Sequence, residues 1–215
     1  MARKRRLRRL PRSFYERPTL QVLEDLIGKV LVHDLPGRRT SGVIVEAEAY
    51  IGEDDPACHA APGPTKRNAA LYGPAGVAYV YLNYGIHNLV NAVTEGDGFP
   101  AAVLIRALDP LEGVELIARR RGMRRAAVEV EESRAGLLRG PGNLTVGLGI
   151  KLSHNRTDLT TGVLTVEDHG VEPSALTWSE RIGIRVGTER PWRCSWSQHP
   201  AVSGGRRLTY RGGAI

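Results

Sequence analysis

The segment Val43–Ile51 constrains the fold most strongly, because its side chains alternate in character from one residue to the next. With a period of two residues, one face of a β-strand carries only Val, Ala and Ile side chains. The opposite face carries Ile44, Glu46, Glu48 and Tyr50. Ionised carboxylates are unfavourable in a core unless they are paired. We therefore expect the acidic face to form the wall of a cleft.

The composition predicts a soluble globular protein with one domain. Of the 215 residues, 41% are hydrophobic and 25% are charged, which is ordinary for a soluble fold of this length. No apolar run approaches the roughly 18 residues of a membrane span, and the first twelve residues lack the apolar stretch of a secretory signal. The chain has two cysteines and so no disulfide framework. We expect a cytoplasmic protein with no membrane contact.

The net charge of +7 suggests a nucleic-acid partner, but the charge is unevenly distributed. Residues 1–12 carry seven positive charges and no acid, so residues 13–215 have a formal charge near zero. We expect a basic arm over 1–12 and one domain over 13–215. The arm either grips phosphates or forms a solvated, disordered tail.

Local patterns predict an α+β fold. Apolar residues recur at helical spacing over Thr19–Ile27. Alternation predicts a β-hairpin from Val77–Leu82 and Ile86–Val93, with Tyr84 beside its turn, and a further strand over Ala101–Ala107. We expect a single domain with a curved, mainly antiparallel β-sheet, helices that flank it and a protruding β-hairpin.

Other segments carry weaker patterns. The order Asp109-Pro110-Leu111-Glu112 predicts a helix start, since a capping residue, a proline and an acid occupy the expected positions. Residues 123–139 fit either a helix or a mobile linker. We also expect strands over Leu159–Glu167 and Glu180–Val186 and an irregular chain from Trp192 onward.

A long irregular segment, Gly52–Gly76, is rich in Gly, Pro and Ala. A connection of this length inside a compact domain is usually functional or mobile. It carries a set of polar side chains suited to contact with a phosphate or a base: His59, Lys66, Arg67 and Asn68.

Several motifs, in this order and spacing, resemble one family. They are VEAEAY, the following His59, TKRN, YVYLNYG, Asn91 and LIRALDPLEG. Together they resemble the alkyladenine (3-methyladenine, or methylpurine) DNA glycosylases, from about Phe14 to the region of Trp192. The resemblance implies an enzyme that rotates a damaged purine out of duplex DNA and hydrolyses the N-glycosidic bond. The damaged base would be alkylated, and deaminated or etheno-modified purines are further candidates.

The resemblance also implies a catalytic group. Glu48 would deprotonate the attacking water and stabilise the positive charge on the sugar. Arg106 would hold the same water and keep Glu48 ionised, and the main-chain carbonyl near Ile182 would be a third ligand of the water. Glu46 would pair with a basic neighbour. No lysine stands in these motifs where it could attack the sugar, so we expect a monofunctional enzyme that leaves an intact abasic site.

The base pocket follows from the same resemblance. Tyr50, His59 and Tyr81 would form its stacking walls, and a cationic base would add a cation–π contribution. Asn91 would lie at the floor and reject guanine through a clash with its amino group. Tyr84 would enter the DNA and fill the gap that the rotated nucleotide leaves.

The remaining expectations concern partners. Lys66, Arg67 and Asn68 would contact the DNA backbone. We expect no metal, because the ligand spacing of a zinc site is lacking, and no cofactor. The partner would be double-stranded DNA containing a damaged purine, bound by a monomer in the cytoplasm, at the nucleoid in a bacterium or in the nucleus in a eukaryote.

Two alternatives stay open at this stage. A non-enzymatic protein that binds damaged or distorted duplex DNA would use the same aromatic wedge and pocket. A hydrolase of free nucleosides or RNA would have no evident use for the wedge or the basic arm.

Overall fold

The computed structural model describes residues 8–124 and 126–204. Within these ranges the strands are β1 Arg8–Arg9, β2 Val30–His33, β3 Thr40–Ile51, β4 Ala78–Asn83, β5 His87–Val93, β6 Ala101–Glu112, β7 Leu164–Asp168, β8 Leu176–Ser179 and β9 Arg193–Trp196. The helices are α1 Arg12–Tyr15, α2 Thr19–Leu26, α3 Val114–Arg120, α4 Ala126–Glu129, α5 Glu131–Gly136 and α6 Pro141–Leu148, with a 3₁₀ turn at Leu152–His154.

The described strands form one sheet in which every pairing is antiparallel. Its order is β1-β7-β2-β3-β6-β5-β4, while β9 pairs with β3 and β8 pairs with β9. The central pair is β3 with β6, and its register shifts on both sides of Glu46. Such bulges bend a strand and increase its twist, so the sheet curves at this point. The predicted α+β class is confirmed.

The core lies between the curved sheet and the helices on it. The predicted helix over Thr19–Ile27 is confirmed as α2, which buries Val22, Leu23 and Leu26 against β3 and β6. Each such side chain stabilises the fold by about 1.5–3 kcal/mol when it is removed from water. The helix α6 packs against β5 and α3.

The predicted β-hairpin is also confirmed, as β4 and β5. The Ile86 N–H donates to the Asn83 carbonyl oxygen at 3.0 Å and closes the turn. The two central residues, Tyr84 and Gly85, have φ values of 48° and 71°. Two successive positive φ values are the signature of a type I′ turn, whose twist matches that of the flanking strands.

The helix start predicted at 109–112 is wrong, because β6 continues to Glu112. Asp109 pairs with Val43 and Pro110 pairs with Gly42, and the helix begins only after Gly113. The other neighbour of β6, β5, pairs with it only as far as Leu104. Within the described part of the chain, Pro110 therefore has no strand on its second side, which is where a strand tolerates a proline.

The other weak predictions had mixed outcomes. Residues 123–139 contain the short helices α4 and α5, which favours the helical alternative. The strand predicted over Leu159–Glu167 is confirmed only from Leu164 onward. The strand predicted over Glu180–Val186 is wrong, since this segment is an irregular loop, and strand β9 lies in the region expected to be irregular.

Part of the basic arm lies on the domain. Arg8–Arg9 pair with β7, Leu10 is buried, and an Arg12 Nη2–H donates to Asp158 Oδ2 at 2.6 Å. Residues 1–7 lie outside the described residues. The boundary at residue 12 and the tail character of the first seven residues stay predictions.

Two further findings concern the described ranges as a whole. None of their helices has the length and apolar character needed to cross a membrane. In the same ranges, no cluster of three or more His, Cys, Asp or Glu side chains has a geometry that could hold a metal ion. Both cysteines, Cys58 and Cys194, are free and buried.

Candidate active site

The carboxylate of Glu48 is fully buried beside Arg106, because β3 and β6 place the two residues on neighbouring strands. Arg106 Nη1–H donates to Glu48 Oε2 at 3.1 Å, and the Tyr50 hydroxyl donates to the same oxygen at 2.9 Å. The main-chain N–H of Ile182 donates to Oε1 at 2.7 Å. Three groups from separate parts of the chain thus converge on one carboxylate.

The second carboxylate of the strand, Glu46, is a structural partner. It accepts from Arg106 Nε at 3.0 Å and from Arg193 Nε at 2.7 Å. It also accepts from the main-chain N–H of Ser203 at 2.6 Å. The predicted pairing of Glu46 with a basic neighbour is confirmed.

The expectation that the acidic face forms a cleft wall needs correction. Glu46 and Glu48 both have 0% exposure, so neither faces open solvent. Two glutamates and two arginines, Arg106 and Arg193, neutralise each other in a buried cluster, which makes burial of the charges tolerable. Glu48 lies behind the groups that line the neighbouring cavity.

The electrostatics suit Glu48 to proton transfer. Burial raises the pKa of its carboxyl above the ordinary value, while Arg106, the Ile182 N–H and the Tyr50 hydroxyl oppose the rise. Burial and the neighbouring Glu48 carboxylate raise the pKa of the Tyr50 hydroxyl, which therefore stays protonated and remains a donor. A base with a raised pKa takes a proton more readily than an ordinary carboxylate.

A cavity of about 320 Å³ opens next to this cluster. Arg106, Tyr50 and Ile182 line it, and so do the rings of His59 and Tyr81. The His59 and Tyr81 ring centroids are 4.4 Å apart. The structure therefore brings together the predicted walls of the pocket, Arg106 and Ile182.

His59 is held by Tyr79, an aromatic residue to which the sequence analysis assigned no role. The His59 Nδ1 and the Tyr79 hydroxyl are 2.9 Å apart, and Tyr79 stacks on Tyr81 with ring centroids 5.3 Å apart. Burial, and to a lesser extent Arg67, lower the pKa of His59, so the imidazole is neutral near pH 7. The common alternation of Tyr79 and Tyr81 along β4 was the signal that could have identified it.

Asn91, expected at the floor of the pocket, is among the residues that line the cavity. It is buried, and its Nδ2–H donates to the Tyr79 carbonyl oxygen at 2.9 Å. This bond fixes the orientation of the amide.

Tyr84 lies at the mouth of the cavity on the tip of the hairpin. Its side chain is 87% exposed, and its neighbour Ile86 is 73% exposed. The side chain therefore makes little packing contact with the body of the domain, and its positive φ belongs to the turn of the hairpin.

The three residues expected at the DNA backbone separate into two groups. Lys66 and Arg67 are exposed near the hairpin, and Arg67 Nη2–H donates to the Leu82 carbonyl oxygen at 3.3 Å. Asn68 is buried, and its amide bonds to main-chain atoms of Thr65 at 2.6 Å and His59 at 2.8 Å. We correct its role accordingly: Asn68 braces the loop and is not placed to meet a phosphate.

Sequence reasoning also missed the pair Arg181 and Asp55, which is buried beside the cavity. The two residues are far apart in the chain, and neither lies in a motif. No local signal identifies such a pair.

Comparison with known proteins identifies the family to which the chain belongs. The family described as Methylpurine-DNA glycosylase (MPG) matches residues 13–200. The chain belongs to the methylpurine-DNA glycosylase family. It is therefore a DNA glycosylase, a hydrolase of base-excision repair, and the resemblance indicated by the sequence motifs is confirmed.

Three relatives show that the similarity extends over most of the methylpurine-DNA glycosylase chain. A protein of Methanocella arvoryzae is 46% identical over 198 residues, covering 90% of this chain and 95% of the relative. One of Rubrobacter xylanophilus is 51% identical over 170 residues, covering 79% and 84%. One of Chlorobium phaeobacteroides is 44% identical over 200 residues, covering 92% and 96%. Each is named "Putative 3-methyladenine DNA glycosylase".

Proposed function

We propose that this glycosylase rotates a damaged purine out of duplex DNA and hydrolyses its N-glycosidic bond, using Glu48 as the base. The observation that carries the proposal is the exposed Tyr84 at the mouth of a cavity walled by aromatic rings. A volume of about 320 Å³ is at the small end of ligand pockets, roughly 300–1,000 Å³, and suits a single base.

Rotation of the nucleotide requires a replacement for its stacking. Unstacking and unpairing together cost a few kcal/mol, least for a damaged base. Insertion of Tyr84 between the base pairs fills the gap, because stacking of an aromatic side chain on a base contributes about 1–3 kcal/mol. Exposed Lys66 and Arg67 lie on the same side and are suited to bind the phosphates.

Recognition of the base then depends on its electronics. Alkylation leaves many purines positively charged, and a cation on an electron-rich ring gains roughly 0.5–2 kcal/mol. Tyr50, Tyr81 and neutral His59 provide such rings. We propose alkylated purines as the main substrates, with hypoxanthine and ethenoadenine as neutral purines that the same walls accept, and Asn91 as the group that rejects guanine.

In the hydrolysis step, a water attacks the sugar C1′ atom. Its proton passes to Glu48, its oxygen bonds to C1′, and the electron pair of the C1′–N bond leaves with the base. An ionised carboxylate offers about four acceptor positions, and the described contacts use one on Oε1 and two on Oε2. The remaining position on Oε1 is the one that we assign to the water.

We further propose that the enzyme is monofunctional, needs no cofactor and acts as a monomer on DNA, at the nucleoid if the cell is bacterial. The cavity lining within residues 8–124 and 126–204 contains no lysine that could attack the sugar. An intact abasic site is then the expected product.

Replacement of Glu48 by Gln tests the proposal. The variant keeps the shape of the side chain and removes the basic oxygen, so we expect tight binding to a lesion duplex and a fall of about 100-fold or more in single-turnover base release. Release is measured on duplexes that each contain one modified purine. Burial raises the pKa of Glu48 above the ordinary carboxyl value of 4.5. As the pH is lowered, the wild-type rate should therefore begin to fall before the pH reaches 4.5.

Other outcomes would decide for the alternatives. If the wild type bound lesion duplexes and released no base, the protein would be a binder of damaged DNA. Equal rates on a free nucleoside and on duplex DNA would indicate a nucleoside hydrolase. A strand break that appears together with the free base would contradict the monofunctional mechanism.

A further inference from the structure

The buried pair of Arg181 and Asp55 is not used by the proposed chemistry, although it lies directly behind the cavity. Two N–H groups of the guanidinium donate to the two carboxylate oxygens, at 2.5 Å and 2.8 Å. Both side chains have 0% exposure. A paired contact of this kind fixes the relative orientation of the two side chains as well as their distance.

The same guanidinium also joins two other segments. Its Nη1–H donates to the Ala49 carbonyl oxygen at 3.0 Å, and its Nη2–H donates to the Gly187 carbonyl oxygen at 3.1 Å. Ala49 stands between Glu48 and Tyr50 on β3, and the guanidinium lies 4.7 Å from the centre of the Tyr50 ring. Arg181 is thus hydrogen-bonded to β3, the strand that carries Glu48, the proposed catalytic base.

The carboxylate side of the pair reaches the wall that carries His59. Asp55 Oδ1 accepts from the Ala57 main-chain N–H at 3.2 Å, and Ala57 and His59 both line the cavity. The segment Gly52–Gly76, the strand β3 and the loop 181–187 therefore meet at one ion pair. Ile182, which donates to Glu48, follows Arg181 directly in the chain.

We propose that Arg181 and Asp55 are positioning residues for the hydrolysis step. Their ion pair holds the Ile182 N–H against Glu48 and the Tyr50 ring against the damaged purine. The inference rests on the proposed role of Glu48 and specifies how that carboxylate is held. Neither residue touches the reacting atoms.

Loss of the ion pair should shift the pH dependence of base release, which loss of a merely structural pair would not do. A hydrogen bond from Ile182 N–H favours the ionised carboxylate, so its loss raises the pKa of Glu48. The acidic limb of the rate profile then moves to higher pH. The titratable and charged groups that face Glu48, on its own strand, on the neighbouring strands and on the loop 181–187, are Glu46, Tyr50, Tyr81, Arg106, Arg181 and Arg193.

The experiment compares Arg181→Lys with the wild type. Lysine keeps the positive charge, but one ammonium group cannot occupy the positions of the four bonds that join Arg181 to Ala49, Asp55 and Gly187. We expect single-turnover base release to slow about 10- to 100-fold. The pH at which the rate falls on the acidic side of the profile should shift upward by about half a unit or more. Binding of the lesion duplex should weaken by a smaller factor than base release slows, since both side chains of the pair are buried and reach the purine only through the Tyr50 ring.

Two further variants complete the test. Asp55→Asn removes the charge partner of Arg181, so it should also slow base release and move the acidic limb to higher pH. If the asparagine variant does not fold, Arg181→Lys alone decides the test. Arg190→Gln is the matched control, because Arg190 Nη1 lies 3.7 Å from the same carboxylate but bonds to neither Ala49 nor Gly187. Its rate and acidic limb should be those of the wild type.

Wild-type rate and an unmoved limb in Arg181→Lys would overturn the inference. So would a rate loss that follows the fall in melting temperature while the limb stays in place, since that result indicates a structural pair only. A wild type that releases no base would instead contradict the proposed function, which keeps the two failures distinct.

Discussion

At the scale of single residues, environment and not residue type separates the two glutamates of β3. Glu46 and Glu48 stand two positions apart on the same face of the strand, and both contact Arg106. Glu46 also accepts from Arg193 and Ser203, whereas the described residues use three acceptor positions of Glu48, which lies next to the cavity lining. This difference in partners supports the proposal that Glu48, and not Glu46, accepts the proton of the water.

The hairpin tyrosine allows a residue-scale prediction in which stability and activity move in opposite directions. Tyr84 has a φ of 48°, and relief of about 1–2 kcal/mol of left-handed strain exceeds the roughly 0.5–1 kcal/mol of chain entropy that glycine loses on folding. Tyr84→Gly should therefore raise the free energy of unfolding by about 0.5–1 kcal/mol. The stacking of the wedge is lost, so base release from duplex DNA should slow roughly tenfold or more. Chemical denaturation and single-turnover assays measure the two effects.

The control for this substitution is Gln198→Gly. Gln198 also has a positive φ, 59°, and is exposed. It should show a similar gain in stability with unchanged base release. If Tyr84→Gly released base from duplex DNA at the wild-type rate, Tyr84 would not be the wedge.

At the scale of secondary-structure elements, close approach of α6 to the hairpin strand β5 supports the cavity wall. Gly142 allows this approach, because a Cβ atom there would lie 2.7 Å from Cγ of His87. The hydroxyl of Thr145 donates to the Asn88 carbonyl oxygen at 2.7 Å and fixes the same contact. Pro141, the first residue of the helix, lines the cavity.

Substitution of this glycine tests the contact. Gly142→Ala forces the helix away from the root of the His87 side chain, so we expect a loss of about 1–3 kcal/mol in the free energy of unfolding. Gly136→Ala on α5 is the matched control, because a Cβ atom there meets nothing within 4 Å. Urea denaturation should show no loss for the control, and equal stability of the two variants would contradict a tight contact between α6 and β5.

At the scale of the whole molecule, the candidate site is assembled from segments that lie far apart in the chain. The carboxylate of Glu48 on β3 is contacted by Arg106 from β6 and by Ile182 from the loop 181–187. The hairpin closes the neighbouring cavity from another side. The sheet order explains the meeting, since β6 and β9 pair with opposite edges of β3.

The start of the chain provides a prediction at this scale. Leu10 is buried, and Arg12 forms an ion pair with Asp158, so a chain that begins at residue 13 should be less stable than one that begins at residue 8. We expect a difference of about 2–4 kcal/mol in the free energy of unfolding. Thermal and urea denaturation of the two truncated proteins provides the measurement, and equal stability would mean that residues 8–12 contribute nothing to the fold.

Local sequence was sufficient where the determining interactions are between near neighbours in the chain. The alternation over Val43–Ile51, the turn chemistry beside Tyr84 and the helical repeat of α2 each depend on residues a few positions apart. Motifs indicated the family and, through it, the residues that line the cavity. These features required no knowledge of what packs against them.

Tertiary structure alone decided the features that depend on partners from distant segments. Pro110 continues a strand because pairing with Gly42 outweighs its local tendency to start a helix. Asn68 faces inward because the loop around it closes on its amide. The pairing of Arg181 with Asp55 depends on how the sheet brings two remote segments together. Burial and charge pairing arise only when the chain is folded, so no local pattern encodes them.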